Sequence, residues 1–181
     1  MAQIISQNNL NDIINIIEQS KSRALKAINA EMINMYWQIG KYLSDLCENS
    51  SFGDKVVDEV AAYIAKENPD IKGFNCRGLY RMKQFYELYK DDKFVTPLVT
   101  QINWTNHLLI MSGAKSAEER HFYMQACIKE RYSKRELERQ MDSALYQRYM
   151  LSSKRALPKS VLAAARESIL DSYVLEFLDL T

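Results

Sequence analysis

From Leu10 to Leu46 the chain contains no proline and a single glycine, Gly40. Over that stretch the apolar residues Leu10, Ile14, Ile17, Ala24, Ile28, Met32, Met35, Ile39, Leu43 and Leu46 recur mostly in steps of three and four, with one gap at Lys21. That spacing is the signature of a helix with one apolar stripe. At 1.5 Å rise per residue the segment would span roughly 55 Å. A helix of this length in a small domain needs cover, so its stripe is expected to meet later helices or a second copy of the chain.

The rest of the chain follows the same pattern. Five glycines and three prolines in 181 residues leave long unbroken stretches, which favour helices over a turn-rich β fold. Asn49 to Gly53 reads as a loop. Asp54 to Asn68 is a second helix, with Val56, Val57, Val60, Ala61 and Ile64 inward and Pro69 beyond its end. Asp70 to Phe74 is a connector, and Asn75 is placed to cap a third helix running to about Tyr89. Thr96-Pro97 opens a short helix, and Asn103-Trp104-Thr105 begins another that closes near Gly113. Ser116 with Glu119, and Ser133 with Glu136, form capping boxes that start helices of about 14 and about 17 residues. Leu151 to Pro158 reads as a linker, and a further helical pattern occupies residues 159–180. The expectation is an all-α, multi-helix domain over residues 1–150, with a long N-terminal helix and a helix-turn-helix-like basic helix pair. Residues 151–181 are expected to be an appended linker and helix.

Composition narrows the function. An apolar share of 47% with 26% charged residues is that of a globular chain. Cys47, Cys76 and Cys127 are odd in number and widely spaced, so neither a disulfide framework nor a metal pair is expected, and a reducing, cytoplasmic setting follows. The first residues lack a basic segment followed by an apolar run, and no window approaches 18 apolar residues. Neither a secretory signal nor a membrane contact is therefore expected. His107 and His121 stand apart from any ligand spacing, and both are read as structural or solvent-facing. Asp70-Ile71-Lys72 mimics part of a nuclease metal motif. That chemistry needs a second upstream carboxylate and strand positioning, so the fragment in a helix connector is read as chance. With no phosphate-binding loop and no nucleophile elbow, the chain is expected to act by binding, without catalysis, cofactor or metal.

Net charge is only +1, but it is unevenly spread. Residues 1–74 carry 7 basic and 10 acidic side chains (−3), residues 75–150 carry 13 and 9 (+4), and residues 151–181 carry 4 of each. A polyanion would meet the middle segment. There, Arg77, Arg81 and Lys83 precede the first acid at Glu87, while Leu79, Met82, Tyr86 and Tyr89 can pack on one side. A helix, a connector containing Gly73 and then a basic helix outline a helix-turn-helix, in which arginine or glutamine can read base edges. Arg77, Arg81, Lys83 and Gln84 are the candidate DNA contacts. A second cluster, Lys129, Arg131, Lys134, Arg135 and Arg139, is interleaved with Glu130, Glu136 and Glu138. Arg135 and Arg139 lie four apart and are candidate supplementary phosphate contacts, although a solvated helix face has the same pattern.

Several of these segments together resemble the N-terminal domain of the YhcG family, bacterial proteins in which this region precedes a PD-(D/E)xK nuclease domain. The matching residues are Tyr36 to Lys41, Leu79 to Tyr86, Asn103 to His107, Arg120 to Tyr123 and Tyr132 to Met141, continuing through Leu145 to Arg148. Asp171 to Leu180 resembles the segment that leads into the nuclease domain, so the resemblance implies that the chain stops short of the catalytic half. It also implies a helical fold with a helix-turn-helix-like DNA-binding part, and a role in restriction-like or genome-defence nuclease systems. One departure stands out. The family has Ser-x-Arg-Asn-Leu where this chain reads Asn75-Cys76-Arg77-Gly78-Leu79, which removes a polar side chain from a candidate contact position. Two functions are thus expected: a DNA-binding module that accompanies a nuclease, or an oligomerisation or protein-docking domain working through the long first helix.

Overall fold

The computed structural model describes residues 7–49, 55–92 and 98–156. Among these there are seven α-helices, one 3-10 turn and no strand. The helices are α1 (Gln7–Asn49), α2 (Lys55–Glu67), α3 (Cys76–Tyr89), α4 (Trp104–Gly113), α5 (Ala117–Glu130), α6 (Lys134–Asp142) and α7 (Leu145–Ala156), with the 3-10 turn at Val99–Gln101. The loop beyond Asn49, the expected start at Asp54, the Thr96-Pro97 cap and the helical pattern from residue 159 lie outside the described residues. None of the described helices is long and apolar enough to cross a membrane. By contacts the chain divides into two compact units, Met1–Leu137 and Glu138–Thr181, the boundary falling within α6.

In the first unit α1 packs most extensively on α3. Gly40 makes this possible. A Cβ at Gly40 would stand 2.1 Å from the carbonyl oxygen of Met82 and 2.9 Å from Cβ of Tyr86, so only a residue without a side chain lets the two backbones meet. Around this crossing, Leu43 of α1, Val57 and Ala61 of α2, and Leu79 and Met82 of α3 form a buried cluster. An aromatic group continues it: Trp37 lies edge-on to Phe85 (5.6 Å between centroids) and Tyr86 (5.1 Å), and Phe85 in turn meets Tyr89, Trp104 and His107. Edge-to-face pairs at these separations add to the stabilisation that burial alone provides.

Polar side chains hold the connectors. The Asn29 amide donates to the carbonyl oxygens of Thr100 (2.9 Å) and Ile102 (3.2 Å), tying α1 to the 3-10 segment. The Asn106 amide donates to the carbonyl of Tyr132 (2.9 Å), tying α4 to the start of α6. Asn75 and Asn103 cap α3 and α4. Ser133 and Glu136 form a reciprocal box, whereas Glu119 reaches past Ser116 to the Lys115 amide. The single helix expected from Lys134 to Met150 is two. At Ala144 the backbone turns left-handed (φ 54°), and the Ser143 hydroxyl donates to the Gln140 carbonyl. A serine bonding its own backbone competes with helical continuation. In the second unit α7 then runs to Ala156, so residues 151–156, expected as linker, are helical.

Both histidines have structural partners. His107 is fully buried and its Nε2 donates to the Val99 carbonyl at 2.8 Å, while His121 Nε2 lies 2.5 Å from Asp92. Burial lowers His107 to about 4, partly offset by the Val99 bond.

Two outcomes follow. Gly40→Ala, which would stabilise an exposed helix by about 0.5–1 kcal/mol, is expected to destabilise this chain by about 1–3 kcal/mol, because α1 and α3 must separate; urea denaturation reads the sign. For His107 the unfolded state binds a proton near pH 6.5 and the folded state only near pH 4. Stability is therefore fully present above pH 6.5 and is lost progressively as pH falls towards 4, by about 3 kcal/mol. Urea midpoints across that window check it, and a folded His107→Leu variant should lose this part of the dependence.

Candidate nucleic-acid interface

The face of α3 turned away from α1 carries the basic residues. Burial of Leu79, Met82, Phe85 and Tyr89 fixes the helix rotation, and the positions between them then project outward. Arg77 and Gln84 are exposed and Arg81 is half-buried. Among the described residues neither arginine has an ion-pair partner. Lys83 sits differently. Its ammonium lies 3.0 Å from Glu87, its side chain is only 16% exposed, and Glu87 also accepts from the buried Ser44 hydroxyl of α1 at 3.1 Å. Lys83 thus belongs to a pair that ties α3 to α1.

Two concavities open along this face. Arg77, Tyr80, Arg81, Lys83, Gln84 and Glu87 line a shallow one on α3 itself. The larger is a groove in which Arg77 and Arg81 recur. Asn75 and Gly78 of the α3 start join them, with Trp104, Thr105, Leu108, Leu109 and Ser112 of α4 and Lys134 of α6. Three features give the groove its chemistry. Among the described residues it holds three cations and no carboxylate. Its wall includes residues from the first turns of α3, α4 and α6, helix ends that carry partial positive charge, and runs on along α4 as far as Ser112 in the last turn. Its remaining lining combines the Thr105 and Ser112 hydroxyls with the apolar Trp104, Leu108 and Leu109. Such a combination suits an anionic ligand with an apolar part.

The structure therefore brings Arg77 and Arg81 together, places Gln84 beside them, and gives Lys83 an internal partner. Arg135 is exposed on α6 in the first unit; Arg139 is exposed on the part of α6 in the second unit. Lys134 was not singled out as a contact by sequence. Its signals were its place in the second basic cluster and the Ser133 capping box, which makes it the first residue of α6, but nothing local said what that helix start would stand beside. Thr105 and Ser112 were missed for the same reason.

The helix pair α2–α3 shares the cluster of Val57, Ala61, Leu79 and Met82. Its connector runs over residues 68–75, longer than the three- or four-residue turn of a helix-turn-helix. Within it Gly73 is left-handed (φ 96°), and its carbonyl oxygen lies 2.1 Å from where a Cβ on Gly78 would be. Gly78 is thus where the connector folds back on the first turn of α3. Among the described residues no group of three histidines, cysteines or carboxylates is placed to hold a metal ion.

The model of the family described as the DUF1016 N-terminal domain matches residues 12–148. A protein of Escherichia coli (strain K12) that carries the name "Putative nuclease YhcG" is 22% identical over 207 residues, covering 93% of this chain and 54% of its own length. The chain thus spans about half the length of that relative. No solved structure matches the chain.

Gly78→Asn, which restores the residue of the family pattern, is expected to destabilise the chain by about 1–3 kcal/mol, because the connector carbonyl must move. Thermal unfolding of the variant against the parent reads this directly.

Proposed function

The chain belongs to the family of the DUF1016 N-terminal domain, and from that premise we propose that it is the DNA-contacting module of a nuclease-related protein. The observation that carries the reading is the groove between α3, α4 and α6, with Arg77, Arg81 and Lys134 on its wall and no acid among the described residues that line it. Phosphate oxygens are the natural ligands of arginine and lysine side chains set beside helix starts. Gln84, exposed one turn on, is free to reach a base edge. The α2–α3 pair would serve in the manner of a helix-turn-helix with a lengthened connector. Arg135 and Arg139 would add phosphate contacts, while Lys83 holds α3 in place. The name of the relative from E. coli supports the link to nuclease chemistry, and the resemblance to the YhcG family supports a place in genome defence.

A second reading, an association module, is favoured by α1. Leu10, Ile13, Ile14, Ile16, Ile17, Leu25, Ile28, Met32 and Met35 are all exposed, and monomers seldom leave so much contiguous apolar surface open. One chain can do both, since dimeric DNA-binding proteins use separate elements for the two tasks.

Fluorescence anisotropy with a random-sequence DNA duplex over a range of salt tests the first reading. Each phosphate neutralised contributes about −0.9 to the slope of log affinity against log salt, so three contacts give roughly −3 per chain. Arg77→Ala, Arg81→Ala and Lys134→Ala are each expected to flatten the slope by about one unit. Lys83→Ala is expected to lower stability and leave the slope in place. Unchanged binding by a triple alanine variant whose circular dichroism is that of the parent would remove the groove from the reading.

A further inference from the structure

The exposed side of α1 has an internal order that says more than that it is apolar. Taken in steps of four and three from Leu10, the series is Leu10, Ile14, Ile17, Lys21, Ala24, Ile28, Glu31, Met35, Gln38 and Tyr42. All ten are exposed, including Ile28 at 58% and Tyr42 at 65%. The residues that bury α1 against the rest of its unit, Ile33, Gly40, Leu43 and Ser44, do not belong to the series. It is therefore a second face of the helix, distinct from the one that packs on α3. Its spacing is that of a coiled-coil seam sustained for more than four heptads. Leu25 and Met32, both exposed, flank it.

Two charges interrupt the seam, Lys21 and Glu31, and neither has an ion-pair partner among the described residues. Pairing two copies in parallel and in register would set Lys21 against Lys21 of the partner subunit and Glu31 against Glu31 of the partner subunit. Two like-charge layers in an apolar interface are unfavourable. The antiparallel arrangement reverses this. When Lys21 stands opposite Glu31 of the partner subunit, Leu10 meets the partner's Tyr42, Ile14 the partner's Gln38, Ile17 the partner's Met35, and Ala24 the partner's Ile28. Each of the ten residues then has a counterpart, and the two charged pairs are related by the twofold axis, as a closed symmetric dimer requires. Shifting the register by one heptad either way sets Lys21 against the partner's Ala24 or the partner's Gln38. Glu31 then falls on the partner's Ile14 or the partner's Ile28, so both charges lose their counterpart.

We propose that two copies of this chain pair antiparallel along the exposed face of α1, in the register that sets Lys21 of each against Glu31 of the partner subunit. The inference rests on the association reading above and specifies its partner, direction and register. The overlap from Leu10 to Tyr42 is about 48 Å long at the helical rise. Because α3 already holds the part of α1 around Ile33 to Ser44 as a helix, the rest of the seam extends an existing helix and needs no new nucleus. A polar pair at one level of an apolar seam selects register and orientation at some expense of affinity.

The test is sedimentation equilibrium of the 181-residue chain and three variants, with circular dichroism to confirm that each is folded; the substituted positions are exposed in the single chain. The parent is expected to be a dimer at tens of micromolar. Lys21→Glu alone and Glu31→Lys alone each create two like-charge contacts per dimer, and each should raise the dissociation constant at least about tenfold. The double variant K21E/E31K recreates both pairs with the signs exchanged, and should return the dissociation constant to within about threefold of the parent. A dimeric parent whose double variant is no tighter than the single variants overturns the antiparallel register while leaving self-association standing. A monomeric parent at tens of micromolar removes self-association, and this inference with it.

Discussion

The backbone of α1 crosses the backbone of α3 where Gly40 meets the carbonyl of Met82, and most other features of the first unit depend on that contact. A side chain of any size at residue 40 would hold the helices apart. The aromatic group around Phe85 would then lose the close edge contacts with Trp37, Trp104 and His107 that fill the space beside the crossing. Close packing of this kind leaves little freedom for rotation of either helix. Once Leu79, Met82, Phe85 and Tyr89 are committed inward, Arg77, Arg81 and Gln84 have only the outer face to occupy. Among the described residues, the same commitment leaves the seam from Leu10 to Tyr42 exposed.

Several acids in this part of the chain are engaged away from the groove. Glu87 is held by Lys83 and Ser44, Asp92 by His121, and Asp58 by the Cys76 thiol, whose pKa is raised chiefly by that hydrogen bond. Glu119 and Glu136 are spent on backbone amides at the starts of α5 and α6. A middle segment with only four more bases than acids presents three cations to one concavity with no carboxylate among the described residues of its lining. The placement of side chains, rather than net charge, produces the asymmetry. The asparagine bridges matter equally. Asn106 holds the Tyr132 carbonyl, which sets the start of α6, and so Lys134, beside α4.

The helices were legible from periodicity and caps: Asn75, Asn103, Ser116 and Ser133 all cap as their sequence context implied, because a capping side chain bonds an amide within its own turn. The long first helix was legible for the same reason, and α1 exceeds its expected length by a few residues at each end. What failed was the continuity from Lys134 to Met150. The left-handed turn at Ala144 is formed by a residue with no preference for it, and the one local signal, Ser143 beside it, is too weak to mark the break by itself.

Sequence alone thus determined the all-helical class and the basic outer face of α3, both properties of spacing along one element; the stripe it assigned to α1 divides after Ile28, because Ile39, Leu43 and Leu46 turn inward while the exposed series continues through Glu31, Met35, Gln38 and Tyr42. Only the tertiary structure decided that Arg77 and Arg81 share a groove with Lys134, residues more than 50 positions away, and that Lys83 belongs to Glu87 instead. It also gave two glycines opposite meanings from those that helix propensity suggests: Gly40 and Gly78, unfavourable in isolated helices, are where a carbonyl from another segment takes the place of a side chain. Periodicity says which face of a helix is apolar or charged. Which other element stands against that face depends on how backbones approach one another, and that is settled by packing between segments distant in the chain.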